Sequence, residues 1–351
     1  GAAVTDKTML HLDRCLTCRS CETTCPSGVQ YGRLVDIGRS IAEQQTRRTM
    51  WRSLQRYLLR TLLPRPLVFN SALALGRMLR PLLPREMAKK IPLAQATKPR
   101  PTARHARTML VLEGCVQPGL APATNVAAAR VLDKLGISLL SASQAGCCGA
   151  VSYHLNARAD GLDYMRRNLD AWHPYVEKGA EAVVMTASGC GAMVKEYGHL
   201  LRHDTNYADK AARISALTLD LSEVLSAEKD NLLRRLVTTA RGKVAFHSPC
   251  TLQHGQKITG VIEALLTKAG YELTPVADRH LCCGSAGTYS ILQQELSQQL
   301  LHNKLDALQS GKPAQIASAN IGCQAHLQSG TELPVRHWIE LLDEALPESA
   351  T

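Results

Sequence analysis

The chain has 351 residues, enough for two or three domains. It is 45% apolar but only 4% aromatic, so its cores must be built from Leu, Ala, Val and Ile. A formal net charge of +11 points to acidic partners or an anionic surface. The basic residues carry no interleaved aromatics and no nucleic-acid motif, and no apolar run reaches the roughly 18 residues of a membrane span, so neither nucleic-acid binding nor a spanning helix is expected.

Taken in chain order, residues 1–45 hold "CLTCRSCETTCP" and then "GRLVDIGRSIAEQ", which reads as a helix after a Pro-Ser-Gly turn. Residues 46–105 form a basic connector in which prolines break short helical pieces. From Trp51 to Leu93 it has nine Lys or Arg and one acid, Glu86. Arg52, Arg56 and Arg60 form a basic stripe and Leu54, Leu58 and Leu62 an apolar one, a pattern suited to an anionic membrane, a partner groove or the chain's own domain. Residues 106–240 and 241–351 then alternate strand and helix patterns. "RTMLVLEG", "ISLLSAS" and "AEAVVMTAS" read as strands, and "TNVAAARVLDKLG" and "ARADGLDYMRRNLDAWHPYVEKG" as helices. This predicts an α/β class with mostly parallel sheets.

The last two segments are copies of each other. Cys115 and Cys147 are separated by the same 32 positions as Cys250 and Cys282. Each copy then has an immediate Cys-Cys-Gly, with Cys148 and Cys283 as the second thiols. Each ends in a fourth cysteine, Cys190 or Cys323. Bridging adjacent cysteines by a disulfide strains the peptide, and no secretory pattern opens the sequence, so metal ligation explains the arrangement better. Iron–sulfur and zinc are the candidates. Each cysteine follows a predicted strand end, where ligands of open parallel sheets gather, so each set of four is expected to converge in its own pocket. Glycine beside the thiols would let the backbone approach a cluster closely.

The first motif, C-x2-C-x2-C-x3-C-P, is an iron–sulfur signal formed by Cys15, Cys18, Cys21 and Cys25. Its usual rule assigns the first three thiolates to one [4Fe–4S] cluster and the fourth to another. Cys25 is therefore expected to point away from the other three, and a matching half-motif is expected before residue 1. Leu34, Ile37 and Ile41 should form an exposed face on the helix that follows.

Together "HLDRCLTCRSCETTCPSGV", "AGCCGAVSYHLNA", "TASGCGAMVKEYG", "HLCCGSAGTYS" and "ANIGCQAHL" resemble the Cys-Cys-Gly repeat family. That family includes heterodisulfide reductase, anaerobic glycerol-3-phosphate dehydrogenase and lactate-utilisation proteins, and the resemblance is greatest to iron–sulfur subunits of bacterial glycolate oxidases. It implies a ferredoxin-like segment with two [4Fe–4S] clusters, and iron–sulfur or zinc at the repeats. It implies flavoprotein partner subunits that carry FAD and oxidise glycolate to glyoxylate, and a quinone or other acceptor in the respiratory chain. It also implies peripheral attachment to the cytoplasmic face of the inner membrane. No catalytic residue is assigned to this chain, which has no G-x-G-x-x-G after a strand and no phosphate loop. The alternatives are a D-lactate or glycerol-3-phosphate dehydrogenase subunit, a disulfide-reducing subunit and a zinc scaffold. Where the reductases often end a repeat in C-x-x-C, this chain has Met193 and His326, which weighs against disulfide chemistry.

Among the other residues, His247, His280 and His326 lie near cysteines and read chiefly as locally hydrogen-bonded. Ser188, Ser248 and Ser285 read as turn formers, and Lys195 and Glu196 as a helix face.

Overall fold

Short runs of buried apolar residues such as Met109–Val111 and Val244–Phe246 suit strands covered on both faces, the usual state of a parallel strand. The computed structural model, which describes residues 4–84, 88, 91–237 and 239–347, forms two such sheets. β1 (Arg107–Val111), β2 (Ile137–Ser141), β3 (Val183–Met185) and β4 (Thr218–Asp220) lie in the order β2-β1-β3-β4, all parallel. β5 (Lys243–His247), β6 (Glu272–Leu273), β7 (Gln315–Ser318) and β8 (Val335–His337) repeat the order as β6-β5-β7-β8. The α/β class with parallel sheets is as the sequence reading has it. In each sheet the chain turns from one side of its first strand to the other, and this switch point is the natural ligand edge.

The repeats pack reciprocally. Helix Ala123–Lys134 of the first lies on helix Trp338–Glu344 of the second, and helix Leu221–Ala227 of the first lies on helix Val261–Lys268 of the second. The second pair is the first with the copies exchanged, since Ala123–Lys134 corresponds to Val261–Lys268 and Leu221–Ala227 to Trp338–Glu344, so the arrangement is that of an isologous two-fold contact within one chain. A single buried cluster runs through it, with Val131, Leu132, Val224, Leu265, Trp338 and Ile339 among its members. Polar links add to the apolar ones. Arg130 pairs with Asp343 at 3.1 Å, and His337 Nε2 lies 2.8 Å from the Thr186 carbonyl.

The amino-terminal segment folds as α1 (Asp6–Asp13), α2 (Ser20–Thr24) and α3 (Tyr31–Gln45). Thr5 and Thr8 form a reciprocal cap at the start of α1. α3 buries Gly32, Arg39 and Ala42 and exposes Leu34, Ile37 and Ile41, as the helical period of its sequence requires. In the connector, α4 (Met50–Leu62) and α5 (Pro66–Leu79) follow. Neither helix has a buried residue. Arg56 does not stand in a free basic stripe with Arg52 and Arg60: its guanidinium reaches back 3.2 Å to Asp13, and its side chain is 11% exposed. Leu54, Leu58 and Leu62 remain exposed. Glu86 lies outside the described residues.

Asp13 joins α1 to the connector, because Arg48 donates to it at 2.5 and 3.0 Å while Arg56 takes the same carboxylate. Burial opposes ionisation of Asp13, but the Arg48 hydrogen bond and the neighbouring guanidinium charges outweigh it and hold the carboxyl below its ordinary range. A carboxyl lowered in this way stabilises the fold above its unfolded pKa and loses that contribution as pH falls through its folded value. Asp13→Asn should therefore reduce hydrogen-exchange protection of α1 at pH 7 about a hundredfold, about 3 kcal/mol for a buried pair losing one partner. The gap to the parent protein should close as pH falls below about 4.

Candidate metal centres

The Cys-Cys-Gly unit is a backbone device before it is a ligand device. Gly149 and Gly284 have φ of +85° and +89°, the left-handed region that favours glycine. A Cβ on Gly149 would stand 2.6 Å from the Gly161 carbonyl, and one on Gly284 would stand 2.5 Å from the Ser297 carbonyl. The glycine thus turns the chain sharply against the next long helix, rather than only clearing room for a cluster. Its N–H points to the first thiol of the pair, with Gly149 N to Cys147 Sγ and Gly284 N to Cys282 Sγ both at 3.4 Å.

Each turn meets two other loops at the same sheet edge. In the first repeat Cys147 lies beside Cys115 and Cys148, and Cys148 lies beside Cys190. In the second the chain of contacts is Cys250, Cys282, Cys283, Cys323, the same order. The structure therefore brings together both sets of four. The sequence reading differs in one respect. Cys190 and Cys323 lie in the first turn of helices Ser188–Lys195 and Ile321–Gln328, not at strand ends. The twelve cysteines are all free thiols.

Crowding splits the ionisation of these thiols. Hydrogen bonds to neighbouring thiols, with burial, push Cys147, Cys190, Cys250 and Cys283 up, while the same bonds pull Cys148 and Cys282 down. All four thiolates of a set can coexist only with a cation between them. The donor set fits a thiophilic metal or an iron–sulfur cluster.

The two sites differ around the sulfurs. In the first, buried Asn168 donates to the Cys147 carbonyl and accepts from Gly146 N, both at 2.9 Å, and the Tyr197 hydroxyl donates to the Cys148 carbonyl at 2.7 Å. In the second, Lys304 stands where Asn168 stands, 3% exposed, with Nζ 2.9 Å from the Asp278 carbonyl. Burial lowers the Lys304 pKa against the pull of Cys250, Cys283 and Cys282. Sequence reasoning missed both residues, although aligning the two long helices through Gly161 and Ser297 pairs them. His326, at the position of Met193, is held locally by Ser297 Oγ at 3.1 Å, and His280 is an exposed loop residue.

His247 is different. It is 2% exposed, and a ring nitrogen lies within 4.8 Å of the Cys283 and Cys323 sulfurs. Nδ1 meets Ser318 Oγ at 3.1 Å, whereas Nε2 has no hydrogen-bond partner. Such an atom costs about 1–3 kcal/mol when left unpaired. Burial, with the nearby Lys304 charge, lowers the imidazole to about 3, so it is neutral.

The amino-terminal motif docks against both repeats. Thr17 and Arg19 adopt left-handed backbone at φ +53° and +59° and wind the loop tightly. Arg39 secures it by donating to the Leu12 and Cys15 carbonyls. Glu196, which is not a plain helix face, takes Arg19 at 3.3 Å and Arg33 at 2.8 Å. Lys195 instead pairs with Glu223. Tyr289 OH donates to the Arg14 carbonyl at 3.3 Å, and the Thr23 hydroxyl lies 2.9 Å from His254 Nδ1. Cys18 thereby faces the second thiol site. Burial raises its pKa most, and Cys282, Cys15 and Cys21 are the charges that raise it further. Cys25 turns elsewhere. Backbone N–H groups of Val29 and Ser27 lower its pKa, and the Tyr31 hydroxyl points to its sulfur at 3.9 Å. Of the serines, Ser188 does more than form a turn, since its hydroxyl meets Thr251 of the other repeat at 2.8 Å.

The cysteine-rich domain family matches residues 109–195 and 244–328. The chain is 55% identical over 347 residues to the glycolate oxidase iron–sulfur subunit of Escherichia coli (strain K12), covering 99% of this chain and 84% of that protein. It is 28% identical to a probable glycolate oxidase iron–sulfur subunit of Bacillus subtilis (strain 168), covering 92% of this chain and 78% of that one. It is also 28% identical to lactate utilization protein A of Geobacillus thermodenitrificans (strain NG80-2), over 63% of this chain and 92% of that protein.

Gly287 is left-handed like Gly284, but a Cβ there would meet nothing within 4 Å. Both alanine variants should lose about 1 kcal/mol or more to backbone strain. Gly284→Ala should lose more, about 1–3 kcal/mol beyond Gly287→Ala, because it must also displace the Ser297 carbonyl. Hydrogen exchange in helix Gln294–Gln309 reads the difference, and equal losses would show that the close approach is not a constraint.

Proposed function

We propose, since the chain belongs to the family of glycolate oxidase iron–sulfur subunits, that it is the electron-transfer subunit of a glycolate-oxidising complex. A flavoprotein partner oxidises glycolate to glyoxylate, and this chain passes the electrons on toward a respiratory acceptor. Iron–sulfur clusters supply one-electron carriers when bound, and flavin chemistry belongs to the partner. Cys15, Cys18 and Cys21 are the ligands of a [4Fe–4S] cluster, and Cys25 serves a second one. The two sets of four repeat cysteines hold further metal centres.

One observation carries this reading: Cys18 lies within electrostatic reach of Cys282 and Cys250, so the amino-terminal motif and the second thiol site are neighbours. A scaffold that only bound zinc for stability would gain nothing from that adjacency. The chain's own residues maintain it. Glu196, Tyr289 and His254 fix the loop against both repeats, and burial of Cys250, Cys283 and Cys323 excludes water from the far site.

The domain division at residues 45, 105 and 240 serves the same purpose, with the connector between the motif and the repeats as the membrane-facing element. No helix among the described residues is long and apolar enough to cross a bilayer. α4 and α5 nevertheless expose Trp51, Leu54, Tyr57, Leu58, Leu67 and Met78 beside Arg52 and Arg65. Aromatic and aliphatic side chains mixed with cations suit a surface that rests in the headgroup region of the inner membrane's cytoplasmic face.

Protein isolated anaerobically should be brown, hold iron and acid-labile sulfide, and give an EPR signal on reduction. A colourless protein with stoichiometric zinc and no sulfide would favour the scaffold reading. With the flavoprotein partner present, glycolate should reduce the centres faster than D-lactate, and the reverse order would move the assignment to D-lactate oxidation. On vesicles, Trp51→Glu with Leu54→Glu should weaken binding to anionic lipid at least tenfold, and unchanged flotation would remove the membrane role of α4.

A further inference from the structure

The two thiol sites share a backbone, but the second carries a polar pair that the first does not. Counting three residues back from Cys115 gives Leu112, and the same step from Cys250 gives His247. Five residues back from Cys190 stands Met185, and five back from Cys323 stands Ser318. Leu112 and Met185 line one cleft with Cys115 and Cys190. His247 and Ser318 face each other in the register of β5 and β7 and are hydrogen-bonded at 3.1 Å. An apolar pair in one repeat is therefore matched by an imidazole–hydroxyl pair in the other, at the same two backbone positions.

That exchange is unfavourable for packing alone. Ser318 is fully buried and His247 is 2% exposed. Ser318 occupies Nδ1 and leaves Nε2 unpaired, and a nitrogen of this ring lies within 4.8 Å of two thiol sulfurs. Metal-ligating histidines have this form: one ring nitrogen is held by a hydrogen bond that sets the tautomer, and the other is free for the metal. Gathering four cysteines does not require the polar pair, since the first repeat keeps its cysteines beside Leu112 and Met185.

We propose that His247 is a ligand of the metal centre of the second repeat, through Nε2, with Ser318 as the residue that orients the ring. This inference rests on the reading of the repeats as metal centres. The first repeat then holds a centre with thiolate donors, and the second a mixed imidazole–thiolate centre. A neutral imidazole brings no negative charge where a thiolate in its place would, so the second centre has a higher reduction potential than its His247→Cys form.

The test uses the full chain labelled with 15N-histidine, prepared anaerobically and reduced, and read by pulsed EPR. One strongly coupled histidine nitrogen is expected, lost in His247→Leu and kept in His326→Leu. His247→Cys should retain the metal, lose the nitrogen coupling and lower the potential of one centre. Ser318→Ala should keep the coupling but alter its magnitude. If metal analysis finds zinc at the repeats, cobalt(II) replaces it and the same nitrogen is sought. Metal bound at its full count with no histidine coupling in the parent protein, or a coupling that survives His247→Leu, overturns the ligand assignment alone. Absence of any metal at the repeats overturns the reading of the repeats as metal centres as well.

Discussion

Four buried or half-buried thiols, each beside the next, cannot all be ionised unless a positive charge sits among them, and the fold is arranged around that condition twice. The sulfurs come from two loops and the first turn of a helix, so no local segment gathers them. Only a parallel sheet that reverses its winding at the first strand brings those loops to one edge. The Cys-Cys-Gly turn then places two thiols in adjacent positions, and its left-handed glycine and its contact with the next helix fix the direction of both. Replacing that glycine would disturb the helix before it disturbed any ligand. Mutual repulsion sets the chemistry, and backbone packing sets the geometry that makes the repulsion unavoidable.

The amino-terminal motif obeys a different constraint. Its loop has little core of its own and uses left-handed residues that are not glycine. It is therefore held from outside, by Arg39 from α3, by Glu196 from the first repeat, and by Tyr289 and the His254 region from the second. Glu196 is ionised in this setting because Arg33 and Arg19 outweigh the cost of its burial. The result is a loop whose distance to the second site depends on three separate parts of the chain. On the function proposed above, electron transfer needs a fixed short distance between the two sites, and this network would supply it without enclosing both in one domain.

Cysteine spacing and alternating strand and helix patterns were enough to read the duplication, the parallel sheets and the grouping of thiols, because those depend on order along the chain. Helices Arg158–Glu177 and Tyr31–Gln45 follow their apolar periods closely. Residues whose partners are remote were not legible. Arg56 belongs to a basic stripe by sequence and to Asp13 by structure, 43 positions away. Glu196 gains its role from Arg19 and Arg33. Asn168 and Lys304 carry no motif and matter only because a helix turns them toward the thiols. β6, with two residues, is too short to leave a clear pattern, so the strand preceding Cys282 had no sharp signature.

The reciprocal packing of the two halves has a consequence for how such a protein can change. Two separate but identical subunits arranged in this way would receive every substitution in both sites at once. A replacement useful at one site would have to be tolerable at the other. Joining the halves covalently removes that coupling while keeping the shared interface. Leu112 and His247, Met185 and Ser318, Met193 and His326, Asn168 and Lys304 are the visible result: one architecture with two independently adjustable environments. The helices at the interface remain bound by symmetry, since each must still fit the other's counterpart. The sheet edges also meet each other, through Ser188 and Thr251 and through Gly189 and Asn320, yet the residues around their thiols have diverged.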